Sequence, residues 1–167
     1  MLNNNLSFKN RTDWDKTLLL LEETFKSPET LKLKGIALSL VEAVRLMDGF
    51  IQENTAVVCP ECVKVCCKNK HSYYDHEDLI FIYSLGKKAP RYEPEIDDDD
   101  ACRFIAANGC TLERALRPFR CNWYFCGPLI KHMEEGPQKA YRRFIAIFHD
   151  TIDLRRRLLG DFFALIK

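Results

Sequence analysis

Four cysteines, Cys59, Cys62, Cys66 and Cys67, stand within nine residues, and the other four, Cys102, Cys110, Cys121 and Cys126, follow as a second group. The spacings are C-x2-C-x3-C-C and C-x7-C-x10-C-x4-C, and no cysteine lies elsewhere in the chain. A C-x2-C step is the spacing at which a tight turn aims two thiolates at one cation while backbone N–H groups point toward the sulfurs. A thiolate-rich donor set suits zinc, iron–sulfur clusters or copper(I) and disfavours magnesium and calcium. The expectation is that all eight cysteines bind metal, zinc or iron, with an iron–sulfur cluster as the variant form. Any fold of this chain must then bring two distant segments together.

The adjacent pair Cys66-Cys67 sharpens that constraint. Successive side chains point different ways in most backbone conformations, so placing both sulfurs on one tetrahedral ion would need a strained turn. The pair is expected to serve different metals, to bridge a multinuclear site, or to divide into one ligand and one supporting thiol. Two sites that draw on both halves follow from this, rather than two independent knuckles. Four thiolates around a divalent ion leave about two net negative charges, which need offsetting where the site is buried. Lys64, Lys68 and Lys70 stand beside the first group, and Arg103, Arg114, Arg117 and Arg120 among the second. They could equally be the solvated face of the loops.

Three other uses of eight cysteines compete. Disulfides have the right even count, but a reducing compartment argues against them, and an ample core makes them unnecessary. Inert buried thiols would not cluster in this way. A catalytic thiol would draw its reactivity from basic neighbours, yet His71, His76, His132 and His149 are scattered along the chain. The expectation leans away from an enzyme, with no catalytic residue assigned.

Composition limits the partners. The chain has 167 residues, 47% hydrophobic and 29% charged, enough for one globular domain with a real core. A net charge of +1 gives no overall electrostatic case for nucleic acid or acidic membranes. The start, MLNNNLSFKNRTDWDK, lacks the basic head and apolar stretch of a secretory signal. The aliphatic run Leu18 to Leu21 falls far short of the roughly 20 residues that span a bilayer. A cytoplasmic protein is expected, whose partners are a metal ion and a second protein, with neither nucleic acid nor membrane among them.

Periodicity predicts a mainly α protein. Thr12 or Asp13 caps a first helix whose Trp14, Leu18, Leu21 and Phe25 share one face. Ser27-Pro28-Glu29 breaks and restarts the chain, with Ser27 as N-cap and Pro28 at the first helical position. Leu33, Ile36, Leu40, Val44, Met47 and Ile51 then form one apolar stripe. Asp48-Gly49 suggests that this helix stops near Met47. A shorter helix starts near Asp75, carries Leu79, Ile80, Ile82, Tyr83 and Leu85, and stops at Gly86. The connector 87–100 ends in Asp97 to Asp100, which lack calcium-loop spacing and read as a solvated loop. Short helical turns are expected around Leu112–Leu116. Pro137 opens a last helix whose buried face carries Tyr141, Phe144, Ile145, Phe148, Ile152, Leu159, Phe162 and Ile166. Arg155-Arg156-Arg157 interrupts it, with arginine heads expected in water over the core edge. Trp123, Tyr124 and Phe125 form an expected aromatic wall that keeps water from the metal; base stacking is the other use of such a run.

The architecture expected is thus a helical bundle with an inserted, loop-rich cysteine-cluster metal-binding module. Residues 1–56 form the N-terminal helices and 57–127 the module. Residues 128–167 form the C-terminal helix, packed on the N-terminal ones in one compact domain.

The cluster C-x2-C-x3-C-C followed by CRFIAANGCTLERALRPFRCNWYFC resembles the YkgJ-like bacterial family of zinc- or iron-chelating cysteine-cluster proteins. The matching residues are Cys59, Cys62, Cys66, Cys67, Cys102, Gly109-Cys110 and the step Arg117-Pro118-Phe119-Arg120-Cys121. The likeness covers about residues 57–127, and Val65 stands where members often carry glycine. It implies a small metal-binding module carried by the eight cysteines, without a defined reaction. A similar cluster in flagellin lysine methylases, where an iron–sulfur cluster accompanies the enzyme, raises the iron–sulfur option. This chain shows no methyl-donor or dinucleotide-binding glycine motif.

Overall fold

The computed structural model describes residue 8 and residues 10–63, 65–93, 95–107 and 109–166; Lys64 lies outside the described residues. The chain is mainly helical. Helix α1 spans Arg11–Thr24, and its N-cap is Asn10, whose side chain accepts the Asp13 N–H at 2.9 Å. The cap therefore lies two residues before the expected Thr12. Asn in an extended conformation satisfies a free helix N–H as well as Thr or Asp does. Trp14 and Leu21 are buried, with Leu18 and Phe25 packed beside them.

The break at Ser27-Pro28 forms as expected. Ser27 caps a 3₁₀ turn at Pro28–Thr30, with proline in its first turn. Helix α2 then runs over Leu31–Val58 without interruption. The expected stop near Met47 does not occur. Met47 and Ile51 are fully buried, so packing continues straight past Asp48-Gly49. Asp48 is held by the Arg114 guanidinium. The glycine penalty of about 1 kcal/mol is smaller than the gain from burying Ile51.

Helix α3, His76–Ser84, starts at Asp75 in a capping box. The Asp78 N–H donates to the Asp75 carboxylate at 2.8 Å, and the Asp75 N–H donates to Asp78 at 3.2 Å. Leu79, Ile80, Phe81 and Ile82 are all buried, and Gly86, with φ of 69°, ends the helix in the left-handed region. Two short antiparallel strands follow, β1 (Ile105–Ala106) and β2 (Gly109–Cys110), with Ile105 opposite Cys110. Next come a 3₁₀ turn at Arg114–Leu116, the one-turn helix α4 (Arg120–Trp123), α5 (Gly127–Glu135) and α6 (Gln138–Leu165).

Helix α6 lies along α2, and α3 and α5 pack against both. The core joins Leu21 of α1, Leu40 and Met47 of α2, Leu79 of α3, Leu129 of α5 and Leu158 and Phe162 of α6. Most of the stripe expected on α6 packs here, but Ile166 is exposed and lies beyond the helix end. Among the described residues, no helix is long and apolar enough to cross a membrane.

The arginine triplet divides. Arg156 and Arg157 face solvent, but Arg155 is buried, against the expectation that all three heads lie in water. Its guanidinium reaches Asp78 at 3.0 Å, Glu77 at 3.4 Å and Asp75 at 3.6 Å. It also lies 4.2 Å over the Phe119 ring. A cation buried on α6 thus ties that helix to the N-terminus of α3, where acidic residues already favour the helix dipole.

Candidate metal centre

The two cysteine segments meet. The Cys102 N–H donates to the Cys67 carbonyl at 2.8 Å, beside an antiparallel bridge between Lys68 and Ala101. Two further bonds continue the seam, Asn69 N–H to the Asp100 carbonyl and Lys70 N–H to the Asp98 carbonyl. Asn69 is wholly buried there, its amide donating to the Ile96 carbonyl and to the Tyr73 hydroxyl. The acidic connector 97–100 is therefore a pairing partner of the first cysteine segment. Lys68 and Lys70 both reach the Asp99 carboxylate, at 3.1 and 2.6 Å.

Each cysteine is placed by a local device. Cys59 follows α2 directly, its N–H donating to Thr55, and the Cys62 N–H returns to the Cys59 carbonyl at 3.2 Å. This turn receives no help from the core, since Val63 is 97% exposed. Cys102 accepts the Ile105 N–H and so opens the β1–β2 hairpin, which presents Cys110 after Gly109, whose φ is 102°. Only glycine takes such a backbone readily. Cys121 lies in α4, which rests on the 3₁₀ turn at Arg114–Leu116, and Cys126 is the N-cap of α5.

All eight cysteines are free thiols; Cys59, Cys67 and Cys121 are exposed and the other five half-buried. Among the described residues, no group of three or more His, Cys, Asp or Glu side chains is gathered in a geometry that could hold a metal ion. The thiols are nonetheless close enough to act on one another. Burial first, then Cys66, Cys126 and Cys62 in that order, raises the Cys59 thiol above its ordinary value. A hydrogen bond between the adjacent thiols lowers Cys66 to about 6 and raises Cys67, whose further neighbours are Cys102 and Cys121. Cys121 is pushed up to about 12, chiefly by burial and then by Cys102 and Cys110.

The expected counter-cations are mostly engaged elsewhere. Lys68 and Lys70 hold Asp99, and Arg114 holds Asp48. Arg117 is the one that draws a thiol down, opposing the rise at Cys121. The Arg103 side chain is buried between the Tyr73 and Phe104 rings, its Nε and Nη1 without a hydrogen-bond partner among the described residues and Glu93 3.9 Å away. The aromatic run also divides. Phe125 packs onto Phe144 and Phe148, whereas Trp123 and Tyr124 are 45% and 43% exposed.

No family model matches this sequence, and no curated protein or solved structure matches it either.

Proposed function

We propose that this chain is a metal-binding protein that takes up zinc or iron through its eight cysteines, in a structural, storage or accessory role. The observation that carries this reading is the seam joining Cys67 to Cys102, which sets the two cysteine-bearing segments side by side. The donor chemistry fits a soft cation: eight sulfurs, with no disulfide to use them up. Cys59, Cys62, Cys66, Cys67, Cys102, Cys110, Cys121 and Cys126 would be the ligands. A bound cation would fix the Cys59–Cys67 turn, which the apolar core leaves unsupported. The buried guanidinium of Arg103, next to Cys102 in the chain and without a full partner among the described residues, suits a neighbourhood that becomes anionic when thiols ionise. The resemblance to the YkgJ-like cysteine-cluster proteins supports the same reading.

An iron–sulfur protein with a redox or enzyme-accessory role is the second form of this reading. The adjacent Cys66-Cys67 pair favours it, because neighbouring sulfurs suit a multinuclear centre. Elemental analysis and an absorption spectrum of protein purified without oxygen separate the two. Zinc in a colourless sample supports the first form, and acid-labile sulfide in a brown one supports the second. Protein free of zinc, iron and copper refutes both. Cys62→Ser is expected to lower metal content and melting temperature together, because the binding energy of a structural ion is also folding energy.

A further inference from the structure

We infer that the outer face of helix α2 joins two copies of this chain, paired antiparallel about a two-fold axis at Glu42.

The inner face of α2 buries Leu33, Leu40, Met47 and Ile51 in the core. The opposite face is not polar. Leu31, Leu38, Leu46 and Val57 are 69%, 53%, 53% and 58% exposed, and a 3.6-residue period brings them onto one side over about 40 Å of helix. Gly35 and Gly49 share this side, both exposed and both with open space where a Cβ would project. After proline, glycine is the poorest residue for a helix interior. Packing within the chain does not call for it at either position, because no neighbouring atom would meet a side chain there. Close approach of a second backbone accounts for it.

The order of residues along the face identifies that second backbone as another copy of α2. Leu38 and Leu46 stand four residues either side of Glu42, and Gly35 and Gly49 seven either side. A two-fold interface sets residue i of one copy against residue j of the other, and j against i. Antiparallel pairing about Glu42 therefore layers each Leu38 with Leu46 of the other copy and brings Gly35 level with Gly49. Charge agrees with this direction. Lys32 stands ten residues before Glu42 and Glu53 eleven after it, both exposed, so each lysine falls beside a glutamate of the other copy. Parallel pairing would set lysine against lysine and glutamate against glutamate, at a cost. The two Glu42 carboxylates at the axis oppose the contact. One pair of helices also buries less than the roughly 1,000 Å² of a lasting interface. The dimer is therefore reversible, with a Kd of about 10–100 µM.

Sedimentation equilibrium of the full chain tests this, with reductant and chelator present so that neither disulfides nor metal can link copies. A monomer–dimer equilibrium is expected. In a mixture of carbon-13-labelled and unlabelled chain, isotope-filtered nuclear Overhauser spectra are expected to connect Leu38 of one copy with Leu46 of the other. Leu38→Lys and Leu46→Lys are each expected to weaken the dimer about tenfold or more, with the melting temperature of the dilute chain unchanged. Glu42→Gln is expected to tighten it about threefold or more, by removing the repulsion at the axis. Circular dichroism checks that the variants fold, and the wild-type spectra stand without them. A chain that stays monomeric at millimolar concentration overturns the proposal and leaves the face to a different protein. It is equally overturned by a dimer that neither lysine weakens, by one that Glu42→Gln does not tighten, or by contacts joining Leu38 to Leu38.

Discussion

At the scale of single residues, Arg155 and Asp78 carry the sharpest consequence. Asp78 is buried, accepts the Phe119 N–H at 3.1 Å and faces Arg155 at 3.0 Å. Burial, with Asp75 adding to it, raises its carboxyl to about 6 despite the opposing pull of Arg155. The folded chain therefore holds a proton that the unfolded chain has already released, across the window from about 4 to about 6. This group's contribution to stability thus falls as pH rises through that window. Removing Arg155 takes the guanidinium away and leaves the buried carboxylate with two backbone N–H groups and with the acids Asp75 and Glu77 beside it. Arg155→Met is expected to cost about 3–5 kcal/mol at neutral pH, and clearly less near pH 5, where Asp78 takes up a proton. Urea titrations at the two pH values check this, and an equal loss at both would show that Asp78 is not the group left stranded. None of this was legible in the sequence. Arg155 lies 77 residues from Asp78, inside a run of three arginines whose other two members do face water. Charge alone cannot tell which of three neighbours a helix turns inward.

At the scale of elements, two glycines show where sequence signals succeed and where packing overrides them. Gly86 reads as a helix stop and is one, because φ of 69° admits glycine far more easily than any L side chain. Gly49 reads as a stop and is not one. It lies inside α2, with open space where a side chain would project. The same substitution should therefore have opposite effects at the two positions. Gly86→Ala is expected to destabilise by about 1–2 kcal/mol, the cost of a Cβ in the left-handed region. Gly49→Ala is expected to stabilise by up to about 1 kcal/mol, the difference in helix propensity. Denaturation midpoints decide between them, and a gain at Gly86 would mean that the end of α3 has another conformation. The apolar stripes of α1, α2 and α6 were legible because a period of 3.6 residues survives any loop length between them. The ends were less so. The Asn10 cap and the run-on of α2 past Gly49 depend on contacts that local pattern does not encode.

At the scale of the whole molecule, the helical core and the two cysteine-bearing segments rest on different forces. The fully buried side chains Leu21, Leu33, Leu40, Met47, Leu79, Leu158 and Phe162 come from four helices, and no thiol is among them. Cys126 alone of the eight packs against this cluster. The cysteine-bearing segments are joined by the Cys67–Cys102 seam, its neighbouring backbone bonds and a two-residue strand pair. Such backbone bonds contribute about 1 kcal/mol each at most, and less where water competes for them. That the two cysteine segments would meet could be argued from the clustering of eight sulfurs. That Asp97 to Asp100 would supply part of the seam could not, because an acidic run looks the same in solvent or against a partner strand. On the proposed metal-binding reading, this division of forces predicts how the protein responds to loss of its metal. A small zinc finger unfolds without its ion because it has no other core. This chain has one, so a strong chelator is expected to leave the far-UV helical signal nearly intact while lowering the melting temperature. Amide exchange should rise between residues 59 and 71 and between 97 and 110, and stay slow in the buried turns of α2 and α6. Collapse of the helical signal together with the metal would instead make the sulfur sites the keystone of the whole fold, with α2 and α6 unable to hold each other unaided.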